Sequence, residues 1–87
     1  MTLEEKLLEC GCEEAVCLSD RYCDDAAIGC SEDGRVVYDY DSLVSCLMKH
    51  GGVTTEIDAI EWVDYNIIGS LPYYGNKAPI IIYRFIE

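Results

Sequence analysis

The chain is poor in positive charge. Among 87 residues there are six Lys or Arg against 17 Asp or Glu, a formal charge of -11. DNA, RNA and anionic membranes are held through their phosphates by Lys and Arg, so this balance excludes them as direct partners and asks for a basic one. Also missing are a basic leader followed by an apolar run and any stretch of about 18 apolar residues. The chain therefore reads as a protein of the cytosol, where thiols stay reduced. His50 is the only histidine, and no G-x-x-x-x-G-K-[ST], G-x-G-x-x-G, H-E-x-x-H or G-x-S-x-G occurs. Nothing here names a reaction, and the expectation is a protein that is not an enzyme.

What is present is apolar substance and cysteine. Hydrophobic residues make up 51 % and aromatics 10 %, too much for a disordered acidic chain. The length allows a single domain over residues 1–87, with a core that is marginal unless something staples it. Residues 1–25 form an acidic, Cys-rich segment, and 26–87 carry the core elements.

Leu3, Leu7 and Leu8 mark a short helix over residues 3–9. After the Cys-rich loop, Ala26 to Ser31 and Arg35 to Tyr40 have strand character. They flank Asp33-Gly34, a hairpin signal that would set Glu32 opposite Arg35. Asp41 is placed to cap a helix over Ser42 to Lys49 with Leu43, Cys46, Leu47 and His50 on one face, stopped by Gly51-Gly52. Thr54 or Thr55 would cap a longer helix from Glu56 to Ser70, its stripe Ile57, Ile60, Val63, Ile67 and Leu71 following a period of 3.6, and Pro72 would end it. Residues 73–77 read as a turn, and Ile80 to Ile86 is the most β-prone run. The expected fold class is α+β, a small antiparallel sheet with two helices on one face.

Cys10, Cys12, Cys17 and Cys23 fall within fourteen residues. Zinc needs four converging thiolate or imidazole donors, and a short loop with Gly11 between two ligands suits that demand. Two cysteines one residue apart rarely join each other. Structural Zn²⁺ at these four is the expectation, ahead of free thiols and of disulfides. Cys30 and Cys46 fit the pattern of small buried hydrophobes, although Cys30 or His50 could replace a ligand. Cys46 and His50 stand at i, i+4, but a histidine in a last helical turn is accounted for by the helix dipole.

Eight acids crowd the first 25 positions against Lys6 and Arg21, with Glu13, Glu14, Asp20, Asp24 and Asp25 beside the cysteines. On the long helix Asp58, Glu61, Trp62 and Tyr65 share a face away from the apolar stripe. Either set would serve as a partner-binding surface, the acids as a lure for a cationic groove and the aromatics as anchors. Packing of Trp62 against the sheet edge or the Cys-rich loop explains that residue more readily.

Gly29, Val37-Tyr38-Asp39-Tyr40-Asp41, Leu47-Met48, Thr54, Ala59-Ile60-Glu61-Trp62-Val63-Asp64-Tyr65-Asn66, Gly69 and Ala78-Pro79-Ile80 form a further pattern. Over residues 26–81 the chain resembles short phage and prophage-type proteins of Gram-positive gut bacteria, a group that brings no established activity. In size and charge it looks like the anti-CRISPR class. The resemblance implies an inhibitor in the cytoplasm of a bacterial host, docked on a basic surface of an RNA-guided nuclease. The alternative is a zinc-stabilised regulatory adaptor that binds an unrelated protein through its Trp- and Tyr-bearing helix.

Overall fold

The computed structural model describes residues 2–12, 14–18 and 21–85. It is α+β, as the alternation of patterns predicts. Helix α1 (Leu3–Glu9) opens with a capping box, in which the Thr2 hydroxyl accepts the Glu5 N–H and the Glu5 carboxylate accepts the Thr2 N–H. These bonds hold the Glu5 carboxyl below its ordinary value. Leu3 and Leu7 are buried, whereas Leu8 turns to solvent. The Cys-rich loop then runs into a short 3₁₀ helix (Arg21–Ala26) and strand β1 (Ala27–Cys30).

Strand β2 (Val36–Asp39) pairs antiparallel with β1, Cys30 facing Val36, and a bulge falls between Ala27 and Gly29. The connecting turn differs from the expected one. Ser31, rather than Glu32, faces Arg35: the Ser31 N–H donates to the Arg35 carbonyl at 2.7 Å and the Gly34 N–H to the Ser31 carbonyl at 3.0 Å. Three residues thus form the loop, with Gly34 alone at positive φ (82°), the geometry of a type I turn closed by a left-handed residue. The Ser31 hydroxyl stabilises it by bonding Asp33 and the Arg35 N–H.

Helix α2 (Tyr40–His50) begins two residues earlier than the sequence suggests, because its cap is Asp39 and not Asp41. Asp39 Oδ2 accepts from the Ser42 N–H at 3.0 Å and the Ser42 hydroxyl at 2.8 Å. Its other oxygen lies 3.0 Å from Arg84 Nε, a charge pairing outside hydrogen-bond angles. Leu43, Val44, Cys46 and Leu47 are buried and His50 is exposed. Gly51 ends the helix where a Cβ would come within 2.7 Å of Leu47 Cδ2.

The long helix departs most from its expected form. Helix α3 covers only Glu56–Trp62, capped by Thr55, and passes into a π-helical turn (Val63–Ile67) and a 3₁₀ stretch (Ile68–Lys77). Asn66 Nδ2 donates to the Trp62 carbonyl at 3.1 Å, the acceptor that an α-helix reserves for the Asn66 backbone N–H. The buried line is Ala59, Val63 and Ile67, spaced by four. An α-helix advances about 40° past a full turn over four residues, and the wider π turn offsets that drift, so the three stay aimed at the core. Ile57 is 71 % exposed and leaves the expected stripe. Pro72 lies inside the 3₁₀ stretch instead of ending the helix, and the stretch breaks at Gly75.

Strand β3 (Ile80–Ile82) is shorter than expected, and Ile86 lies outside the described residues. It pairs parallel to β2, so the sheet, ordered β1-β2-β3, is mixed rather than antiparallel. A crossover long enough to hold α2, α3 and the 3₁₀ stretch returns the chain in the same direction, which a hairpin could not do. Tyr38, Val36, Leu43, Leu47, Val63 and Ile67 fill the space between sheet and helices. No helix among the described residues is long and apolar enough to cross a membrane.

Tyr38 is buried at the centre, and its oxygen accepts the Leu18 N–H at 3.0 Å, fastening the Cys-rich loop to β2. Tyr38→Phe keeps the ring and strands that amide. It should cost about 1 to 3 kcal/mol, read as a lower urea midpoint with unchanged slope. An unaltered midpoint would show that the loop amide finds water instead.

Burial pushes the Tyr38 phenol above its ordinary range, against the opposing pull of the Leu18 N–H. Burial first, then the bond to Asp64 at 2.7 Å, raises Tyr40 to about 12, and burial raises the Cys46 thiol. All three are held neutral by the fold. Their contribution is complete below the unfolded values near 9 and 10 and is lost as pH rises toward about 12. Chemical denaturation at pH 8, 10 and 11 should therefore show stability declining, and a flat profile would contradict these placements.

Candidate thiol cluster and acidic surface

The tertiary fold sorts the cysteines differently from their spacing. The C-terminal end of α1 and the loop after it carry Cys10 and Cys12, and the end of β1 carries Cys30. All three line one cleft of about 560 Å³, together with Glu14, Glu32, Asp33 and Lys77. Cys10 and Cys30 also line a second cleft on the α1 side. Hydrogen bonds with the Cys12 and Cys10 thiols raise the Cys30 thiol to about 12, burial and the neighbouring charges adding to this. Cys12 Sγ reaches back to the Cys10 carbonyl at 3.8 Å. Cys10 is exposed, Cys12 buried and Cys30 between the two.

Cys17 and Cys23 do not line this cleft; both lie close enough to the Tyr38 phenol to perturb it, and Cys23 is fully buried. Of the four proposed zinc ligands, Cys10 and Cys12 line this cleft, where Cys30 joins them. Among the described residues, no group of three or more His, Cys, Asp or Glu side chains is arranged to hold a metal ion. Cys10 and Cys12 both act on the Cys30 thiol across this cleft. Sequence spacing could not reveal this grouping, since 17 residues separate Cys12 from Cys30 and only the β1-β2 hairpin carries the latter back.

The expected contact residues are distributed as follows. Glu14 lies exposed in the thiol cleft, where Glu32 and Asp33 of the hairpin turn join it. Asp25 is exposed and near the Cys46 thiol, Asp24 is half-buried, and Glu13 and Asp20 lie outside the described residues. Asp58 and Glu61 are exposed on α3. Trp62 is half-buried against the core, which accounts for it structurally, and Tyr65 is 83 % exposed. Tyr73, 89 % exposed, joins Tyr65 around a shallow cleft with Asp64, Asn66, Gly69 and Ser70. The π turn brings these two tyrosines to one place, which an α-helical reading of the sequence did not anticipate.

The chain matches no family model, and neither the curated proteins nor the solved structures offer a significant match. What can be said of its chemistry therefore comes from its own residues.

Those residues show an asymmetry of charge. Among the described residues Asp39 is the one buried carboxylate, while Glu5, Glu9, Glu14, Asp25, Glu32, Asp33, Asp41, Glu56, Asp58, Glu61 and Asp64 are exposed. Three of the few cations make structural contacts, although Lys77 and Arg84 remain exposed. Arg35 Nε donates to the Ala78 carbonyl at 2.7 Å and joins β2 to the start of β3. Lys77 Nζ donates to the Asp33 carbonyl at 2.7 Å and holds the hairpin turn. Arg84 spans Asp39 and Asp41 at 3.0 and 3.6 Å.

Proposed function

We propose that the chain acts by binding and without catalysis, as an acidic inhibitor that docks on a basic surface of another protein. The observation that carries this reading is the charge asymmetry, with carboxylates outward and Arg35, Lys77 and Arg84 engaged in the fold. A surface of this kind suits a groove kept positive for nucleic acid, since it presents the same sign of charge as a phosphate backbone. With the phage-type resemblance, the reading extends to an RNA-guided nuclease in a bacterial host as the partner, the chain acting as an anti-CRISPR on guide or target loading. The zinc expectation for Cys10, Cys12, Cys17 and Cys23 draws no support from their placement and is not needed for this activity.

A second reading has one specific observation in its favour, the pair of outward tyrosines Tyr65 and Tyr73 beside the π turn. Under it the chain is an adaptor anchored by aromatic contacts. Salt separates the two. Binding to the purified nuclease is measured between 0.1 and 0.5 M salt together with target cleavage, and the inhibitor reading expects both binding and inhibition to weaken steeply. Salt-insensitive binding lost on Tyr65→Ala would favour the adaptor, and absence of inhibition would end the anti-CRISPR form.

A further inference from the structure

We infer that Cys10, Cys12 and Cys30 form a thiol–disulfide exchange site, oxidised by small-molecule disulfides of the glutathione type to a bond that joins Cys30 to the Cys10-Gly11-Cys12 segment. Three observations support this independently of the proposed function. The trio lines one open cleft, so a reagent can reach it. Its members differ in access, with Cys10 exposed, Cys30 half-buried and Cys12 buried, giving an entry thiol and internal partners. And Cys10 and Cys12 both lie near enough to Cys30 to shift its thiol, while no group of three such side chains among the described residues is arranged to hold a metal ion.

The sequence of bonds follows from that gradation of access. The Cys10 thiol loses its proton to water, and the thiolate attacks one sulfur of glutathione disulfide. The S–S bond of the reagent breaks, a glutathione thiolate leaves and takes up a proton, and Cys10 carries a mixed disulfide. The Cys30 thiol, deprotonated in turn, attacks the Cys10 sulfur and expels the second glutathione thiolate, which is protonated. Two protein thiols are oxidised and one disulfide is reduced to two thiols. Cys10 and Cys12, with one residue between them, are poorly placed to pair with each other, so Cys30 is the required partner. Cys12, in contact with Cys30, can then exchange into the bond.

The bond would tether the end of α1 to the hairpin across the cleft that both line. Closing a loop of this length should raise Tm by on the order of 10 °C.

The experiment uses the full chain, purified reduced, with its zinc content measured, then incubated with glutathione disulfide, alkylated and digested with trypsin. Cleavage at Lys6, Arg21 and Arg35 leaves Cys10, Cys12 and Cys17 on one peptide and Cys23 and Cys30 on another. Loss of two hydrogens from the intact chain, a cross-link between these two peptides and a higher Tm are expected. Cys30→Ser should abolish the cross-link, Cys17→Ser and Cys23→Ser should preserve it, and Cys10→Ser should slow it at least about tenfold by removing the exposed entry thiol. A cross-link that survives Cys30→Ser or vanishes with Cys17→Ser or Cys23→Ser would overturn the proposal. So would about one zinc per reduced chain that shields Cys30 from alkylation until a chelator removes it. Since the tethered cysteines take no part in the charge asymmetry, failure here leaves the salt-dependent binding untouched, and the reverse holds as well.

Discussion

Leu47→Ala should come close to unfolding the protein. Leu47 is fully buried on α2, lies against the C-terminal Gly51 and faces the layer that Tyr38, Val63 and Ile67 complete. Removing its three outer carbons deletes their burial and leaves a cavity that rigid neighbours on two sides cannot fill. Substitutions of this kind cost about 2 to 5 kcal/mol. A domain of this size holds only about 4 to 13 kcal/mol in all, so the loss is a large share of the total. Thermal melts should show Tm lower by about 10 to 30 °C, with a population already unfolded at 37 °C if the wild type lies at the lower end. Leu47→Met conserves volume and should cost less than about 1.5 kcal/mol. A loss under about 1 kcal/mol for the alanine variant would mean that the helix does not pack on the sheet as described.

The second large effect concerns the surface. Neutralising Glu13, Glu14, Asp24 and Asp25 to their amides should leave the fold intact and weaken binding to the basic partner by about 30- to 1000-fold. Each interfacial carboxylate is assigned about 0.5 to 1 kcal/mol, a rim-type contribution, and four of them together give about 2 to 4 kcal/mol. The loss should appear largely in the association rate, because charges of this kind steer encounter across a Debye length. Raising salt from 0.1 to 0.5 M shortens that length from about 10 to about 4 Å and should reproduce much of the effect in the wild type. Surface plasmon resonance on wild type and variant at both salts, with circular dichroism as the control for folding, decides the matter. Equal affinities for the two proteins at 0.1 M salt would remove the N-terminal acids from the interface and direct attention to Tyr65 and Tyr73.

Much of the fold was legible where one local pattern had one physical solution. Two strand-prone runs around a Gly-containing turn, an amphipathic run ended by Gly51-Gly52 and a Thr55 cap all behaved as their chemistry requires. Errors arose where two local solutions were close in energy. Asp39 and Asp41 could each cap α2, and Asp39 prevails because the end of β2 points it at Ser42 while Arg84 pairs its charge. The run from Glu56 reads as one α-helix until the Asn66 amide takes the Trp62 carbonyl. With that bond the turn widens, Ile57 is left in solvent, and Tyr65 and Tyr73 come to share a cleft.

Composition and order by themselves determined the scarcity of cations, the acidic N-terminal segment, the absence of catalytic motifs and the α+β class, because each depends on residue type or on neighbours a few positions apart. Only the tertiary structure decided which cysteines meet, that β3 runs parallel to β2, and that Arg35, Lys77 and Arg84 turn to structural carbonyls and carboxylates. The reason is separation along the chain. Arg35 reaches a carbonyl 43 residues away and Lys77 one 44 residues away, and contacts of that kind have no trace in any local pattern.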